Sequence, residues 1–343
     1  MTTLKELVGK NIKVLSSDPT DAGAEGQIWY NSTDGVFKTV LNVGAWSSGG
    51  NLNTARATGA GAGTQTSALA FGAYGGPEAV LTEEYNGSGW STGGTLNTGR
   101  GYLAGAGTQT AGLAIGGRTP PSTTTDATEE YNGSSWTAGG ALGTGRRNLG
   151  GTGTQTAGLA FGGNGPTDAT EEYNGSAWTA GGALGTAKQF LAGAGTQTSA
   201  IAFGGQVPST SASEEYDGSS WTAGGIMNTT RQELAGAGIQ TSALAFGGYS
   251  TANTTATEEY DGSNWTNSGT LATARRGLSG AGTTSAGLAF TGYTTSNSAA
   301  TEEYNKSIYS PIAATWASGG NYPTNNYGLQ GAGSQTAGLA WGG

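Results

Sequence analysis

Seven times along this chain a tryptophan is followed, at unchanging distances, by the same landmarks. From Trp46, Trp90, Trp136, Trp178, Trp221, Trp265 and Trp316, ten positions lead to Arg56, Arg100, Arg146, Lys188, Arg231, Arg275 and, in the last copy, Asn326. Seven more lead to a glycine (Gly63, Gly107, Gly153, Gly195, Gly238, Gly282, Gly333), and eight more to a large apolar residue (Phe71, Ile115, Phe161, Phe203, Phe246, Phe290, Trp341). A length held constant over seven copies marks a unit whose strands must stay in register. A period in the forties means units that bury their apolar faces against one another, which excludes an ordinary single-core fold.

Length variation is confined to one connection. From the large apolar residue to the Tyr of Glu-Glu-Tyr the separation runs from 12 to 16. From Tyr to Trp it is five in five copies, as Tyr-(Asn/Asp)-Gly-Ser-x-Trp, and only Tyr30–Trp46 and Tyr304–Trp316 are stretched. Each copy resolves into four strands. Strand a is the Leu-Ala-Gly-Ala-Gly run, and strand b is Ala/Gly-Leu-Ala-Phe, stopped by Gly-Gly. Strand c is Ala-Thr-Glu-Glu-Tyr, and strand d starts at Ser-x-Trp-Thr. Asn-Gly or Asp-Gly between c and d is a strong hairpin signal. The 66 glycines and recurrent threonines argue against helices. Disorder is excluded because Trp, Tyr, Phe and Leu return in register. Four-strand antiparallel meanders repeated around an axis make a β-propeller.

Composition narrows the chemistry. With no Cys and no His, the commonest zinc and copper ligands and the usual base of a nucleophilic triad are missing, so neither cofactor nor metal is expected. A net charge of −9 without a basic stripe argues against nucleic acid. The first residues lack the apolar core of a secretory signal, and no apolar run is long enough to span a bilayer, so no membrane insertion is expected.

Residues 1–26 stand outside the repeat. Ile12, Val14 and Leu15 read as a brief strand, and Asp18-Pro19 begins a linker. The segment is either a frayed tail or a docking arm. Residues 27–343 form the repeat body. Its opening, Gly26 to Trp46, reads as two strands around Asn31-Ser32-Thr33-Asp34-Gly35.

Gly-Gly closing an apolar strand, then Tyr, Trp and a basic residue, as in Gly162-Gly163, Tyr173, Trp178 and Lys188, resembles the kelch repeat. The likeness covers about residues 27–343. Gly72-Ala73, Thr291-Gly292, Lys188 and Asn326 depart from the pattern. The resemblance implies a propeller like the central domain of galactose oxidase, but not that enzyme's copper chemistry, whose His and Cys ligands are absent. The segment GQIWYNSTDGVF is similar to short stretches near the N-termini of tailed-phage structural proteins. Seven a–b hairpins and seven c–d pairs predict seven blades. The chain begins with c–d and ends with a–b, so two N-terminal and two C-terminal strands are expected to close the ring.

The Glu-Glu doublets (among them Glu129-Glu130 and Glu171-Glu172) tempt a glycosidase reading. However, neighbours on a strand face opposite ways, and a single active site has no use for six copies. A structural role fits better: each blade's basic residue, Arg100 or Arg146 for example, reaches over the diglycine to its own doublet. These pairs are expected to be partly exposed and to contribute about 0–1 kcal/mol each. Tyr131, Tyr173, Trp90, Trp136, Trp178, Trp221 and Trp265 are expected in the core between blades. Length variation collects on the face carrying the b–c loops, whose candidate binding residues are Arg118, Thr119, Asn164, Asp168, Gln206, Tyr249, Asn253, Tyr293 and Asn297. Variable loops on a rigid scaffold are the usual place for recognition. The expectation is a non-enzymatic structural or binding protein of a phage virion, in capsid, tail or fibre. It would contact other virion proteins through its arm or short-turn face and a host glycan or receptor through its loops. A cellular kelch-type interaction module is the alternative, and a carbohydrate-active enzyme the third.

Overall fold

The computed structural model describes residues 14–19, 28–207, 209–313, 330–334 and 337–341. Its chain forms two compact units, one of residues 1–42 with 309–343 and one of residues 43–308. Residues 28–42 and the last 35 thus group with the N-terminal segment, not with the main repeat body.

The larger unit is a propeller. In blade 1, strands a to d are Ala60–Thr64, Ser67–Phe71, Thr82–Tyr85 and Trp90–Thr92, paired in that order and antiparallel throughout. Blades 2 to 5 repeat the arrangement over 104–138, 150–180, 192–223 and 235–267. Blade 6 takes Ser279–Gly282, Ala286–Phe290 and the start of Thr301–Ala313 from one end of the chain. Its fourth strand, Val36–Ser48, carries Trp46 and comes from the other end. The a strands line the axis, each beside the next, and that of blade 6 packs against that of blade 1.

The all-β propeller of four-stranded antiparallel blades is as expected, but among the described residues the ring has six blades where seven were expected, closed by three C-terminal strands and one N-terminal strand. The reason lies in one turn. Each c–d hairpin of blades 1 to 5 needs a glycine at positive φ: 88° at Gly87, 90° at Gly133, 88° at Gly175, 91° at Gly218 and 93° at Gly262. After Tyr304 the corresponding pair is Asn305-Lys306. Without glycine at that position the chain runs straight on as a 13-residue strand. The vacant fourth place is taken by Trp46, whose Nε1 donates to Thr257 Oγ1 at 2.9 Å as the other blade tryptophans do to their own preceding blades. The seventh copy supplies Gln330–Ser334 and Ala337–Trp341, which pair as a two-stranded sheet in the smaller unit. Its Trp316 and Asn326 lie outside the described residues.

Three sets of bonds join neighbouring blades. Tyr131, Tyr173, Tyr216 and Tyr260 donate their hydroxyls to the second Glu of the preceding blade at 2.5–2.6 Å (Glu84, Glu130, Glu172, Glu215). Tyr304 does so to Glu259, and Tyr85 closes the circle on Glu303 at 2.5 Å. Trp136 Nε1 reaches Thr82 Oγ1, and Trp90 Nε1 closes on Thr301 Oγ1, both at 2.9 Å. At the a–b turns Gln65, Gln109, Gln155, Gln197 and Gln240 each donate to two carbonyls of the preceding blade. In blade 6, Thr284 Oγ1 reaches only Ser242 instead, donating to its carbonyl at 2.8 Å and meeting its hydroxyl at 2.5 Å. These polar groups are satisfied between blades while Trp and Tyr rings stack there, Tyr131 and Trp136 for example at 4.9 Å.

In the smaller unit, Val14–Leu15 pairs parallel with Ile28–Asn31, which pairs antiparallel with Val36 to Thr39. Asp18 gathers the indole N–H of Trp29 (3.0 Å), the amide of Asn31 (2.6 Å) and the ammonium of Lys38 (2.6 Å). The strand read at Val14 and Leu15 and the turn at Asn31–Gly35 are therefore present. Ile12 and most of the 1–26 segment lie outside the described residues.

Candidate functional site

The basic residue before strand a meets the first Glu of its own blade in every blade. Distances are 3.3 Å for Arg56–Glu83, 2.8 Å for Arg100–Glu129, 2.7 Å for Arg146–Glu171, 2.8 Å for Lys188–Glu214, and 3.0 Å for both Arg231–Glu258 and Arg275–Glu302. Far from being partly exposed, the pairs are buried: both side chains of Arg231–Glu258 are 0% exposed. Burial alone pushes the Arg231 guanidinium down to about 10 against the pull of Glu258. The same carboxylate accepts from the d–a connection, as Glu258 does from Asn228 N at 2.6 Å and Thr229 N at 3.3 Å. Each first Glu thereby ties connection, basic residue and strand c together, and the face carrying the d–a and b–c connections gains a fixed frame. Trp90, Trp136, Trp221 and Trp265 are buried, as are Tyr131 and Tyr173, and Trp178 is partly buried.

On that face, two positions after each ion-pair residue, the backbone is left-handed in all six blades. The residues are Thr58 (φ 60°), Tyr102 (55°), Asn148 (56°), Phe190 (57°), Glu233 (51°) and Gly277 (56°). Their main chains join head to tail: Tyr102 N to Thr58 O at 2.6 Å, Asn148 N to Tyr102 O and Phe190 N to Asn148 O at 2.8 Å, Glu233 N to Phe190 O at 3.0 Å and Gly277 N to Glu233 O at 2.9 Å. Thr58 N to Gly277 O at 2.8 Å closes the circle. The conformation costs a side-chain-bearing residue about 1–2 kcal/mol, less for Asn, and nothing for Gly. Five of the six nevertheless carry side chains, and no two are alike.

These residues rim a cavity of about 100 Å³ on the propeller axis, floored by Gly59, Leu103, Leu149, Leu191, Leu234 and Leu278. That volume equals about three water molecules. Tyr102 and Phe190 meet edge to face at 6.4 Å. Glu233 lies 3.5 Å from Arg276 Nε, and burial raises its carboxyl above the ordinary range. Burial likewise raises the Tyr102 phenol, with Glu233 adding to the shift and Arg118 and Arg276 opposing it.

The predicted loop residues divide into two groups. Those directly after the diglycine lie beside this rim. Arg118, Gln206, Tyr249 and Tyr293 each exchange main-chain bonds with Gly101, Gln189, Gln232 and Arg276, the residues preceding the left-handed ones. Asn164 holds Arg147 through its main-chain N–H (2.8 Å) and its Oδ1 (2.9 Å). Arg118 stacks on Tyr74 at 4.6 Å, and Arg276 on Tyr249 at 4.9 Å and Tyr293 at 5.4 Å. Thr119, Asp168, Asn253 and Asn297 lie farther along the loops. Thr119 pairs with Thr123, Asn253 Nδ2 bonds Tyr293 O and Thr294 O in the next blade's loop, and Asp168 and Asn297 face solvent.

The axial residues were not among those predicted, because they fall inside the constant 25-residue stretch. A signal was available: in copies otherwise nearly identical, the two positions after the basic residue read Ala-Thr, Gly-Tyr, Arg-Asn, Gln-Phe, Gln-Glu and Arg-Gly.

The larger unit is thus a multi-bladed β-propeller with a side-chain-diversified axial face. A solved structure, titled "Structure of YjhT", is similar with a TM-score of 0.63 and 13% sequence identity, covering 75% of this chain and 96% of that one. The likeness is one of fold. No family model and no curated protein matches the sequence.

Proposed function

We propose that this protein is a non-enzymatic binding propeller serving as a structural component of a phage virion, with its axial and b–c loop face turned to a host-surface ligand. The observation that carries the binding function is where the copies differ. Scaffold positions, from the Trp and Tyr of each blade to the ion pairs, are nearly invariant, while diversity gathers around one end of the axis. Selection for folding alone would keep glycine at the left-handed positions. The non-enzymatic reading is supported by the doublets: in each, one carboxylate is held in a buried ion pair and the other accepts a tyrosine hydroxyl from the next blade. The virion assignment rests on the N-terminal likeness to tailed-phage proteins, with other virion proteins as partners for the arm or the short-turn face.

The test has two parts. Mass spectrometry of purified particles should find the chain as a stoichiometric component, and labelled protein should adhere to host cells. Adhesion should fall when Tyr249 and Tyr293 are replaced by Ala. Absence from particles would favour the cellular kelch-type module, and turnover of a polysaccharide would restore the enzymatic reading.

A further inference from the structure

We propose that the axial mouth binds an anionic saccharide, its carboxylate or sulfate held by Arg118 and Arg276 and its ring seated against Tyr102 and Phe190. This rests on the binding function proposed above and names the ligand class. The first observation is a charge inventory. In an acidic chain of net −9, the larger unit has ten Lys and Arg residues, and six of them are locked in the buried pairs. Lys306 is taken by Glu259. Of the remaining three, Arg147 and Arg276 directly precede the rim residues Asn148 and Gly277, and Arg118 is bonded to Gly101 beside Tyr102. Arg147 donates to Thr124 Oγ1, and Arg276 meets Glu233, the mouth's single carboxylate, through Nε at 3.5 Å, with its two terminal nitrogens outside that contact. A local excess of positive charge on an anionic protein favours anions.

The second observation is polar capacity left unused. Asn148 Oδ1, on the lining of the mouth, is buried without a hydrogen-bond partner, as are Gln232 Oε1, next in the chain to Glu233, and Arg118 Nε, whose residue is bonded to Gly101 beside Tyr102. The other such atoms among the described residues belong to the buried ion pairs. Buried polar atoms of this kind are normally satisfied, and a polyhydroxylated ligand brings both donors and acceptors. The third is the floor. Five leucines lie beneath the rim, which suits the C–H face of a sugar ring and would reject a buried charge. The volume of about 100 Å³ admits one edge of such a ring, leaving the rest over the aromatic side chains. An acidic protein partner fits less well. Among the described large apolar side chains of the b–c loops only Val207 (54%) and Tyr293 (37%) are exposed, too little for the apolar centre of a protein interface.

Binding of the full chain should be measured by calorimetry against dextran, dextran sulfate, polygalacturonate and poly-glutamate. The expected result is binding to the sulfated and uronate polymers, with dextran and poly-glutamate far weaker. Arg118→Gln and Arg276→Gln should each weaken it about tenfold, the loss of one charge-assisted hydrogen bond, while Lys306→Gln leaves it unchanged. Phe190→Gly should weaken binding while keeping or raising the unfolding midpoint, because it removes a left-handed strain. Equal binding of dextran, equal binding of poly-glutamate, or unchanged affinity in both Arg variants would each overturn the assignment. If these variants still adhere to host cells like the parent, the mouth is not the receptor site, although the binding function stands. If the parent adheres to no cell, that function fails independently of the polymer results.

Discussion

Replacing Glu258 by Gln examines how the frame beneath the candidate site is held. The parent carboxylate faces Arg231 at 3.0 Å with both side chains fully buried, and it also accepts from Asn228 N. Gln can still accept the main-chain N–H but cannot neutralise the guanidinium, whose other bonds go to the carbonyls of Ala245, Gly247 and Ala256. An uncompensated buried charge costs about 3–5 kcal/mol. In a unit of this size that lowers Tm by roughly 10 °C. Removing both charges, as Arg231→Met with Glu258→Gln, should restore much of the loss, because burial disfavours the charged guanidinium even beside its partner. Urea unfolding of parent, both single variants and the double variant gives the coupling energy. A loss below about 1 kcal/mol for Glu258→Gln, the magnitude of an exposed pair, would refute the account.

Other consequences follow from the ring. Trp46→Ala removes the indole that completes blade 6 and should cost about 3–5 kcal/mol, as much as Trp136→Ala, by urea unfolding. The hydroxyls of Tyr85, Tyr131, Tyr173, Tyr216 and Tyr260 are pushed up to about 12, by burial first and then by the carboxylate each one meets. Unfolded phenols ionise near 10, so the folded state keeps protons that the unfolded state releases. Stability should be unaffected by these groups below pH 10 and fall between pH 10 and 12, with tyrosinate absorbance rising together with loss of structure. Thr284→Gln, which gives blade 6 the two-carbonyl bridge of the other blades, should stabilise the protein by about 0.5–1.5 kcal/mol.

How far the sequence revealed this depended on whether a feature was local. Strands, hairpin turns and the pairing of each Arg with its own Glu follow from spacing within a copy, so they could be read directly. The blade number could not, because it depends on which distant segment fills a vacant edge. Trp46 and Trp316 carry the same signature, and the deciding detail was a missing glycine after Tyr304. The burial of the ion pairs was likewise hidden, since the diglycine that passes over them is covered in turn by the next blade: a Cβ on Gly204 would meet Arg231 O at 2.7 Å. The axial residues escaped notice because left-handed backbone at Phe190 or Glu233 runs against residue preference, and only the closed main-chain circle imposes it.

That circle offers the most direct measurement. Amide hydrogen exchange at Thr58, whose N–H bonds Gly277 O across the junction of blades 6 and 1, reports whether six blades close the ring. In the full chain, Thr58 should be protected to the same degree as Tyr102, Asn148, Phe190, Glu233 and Gly277. Exchange at the rate of an open loop at Thr58 and Gly277, with the other four protected, would contradict a six-bladed closure.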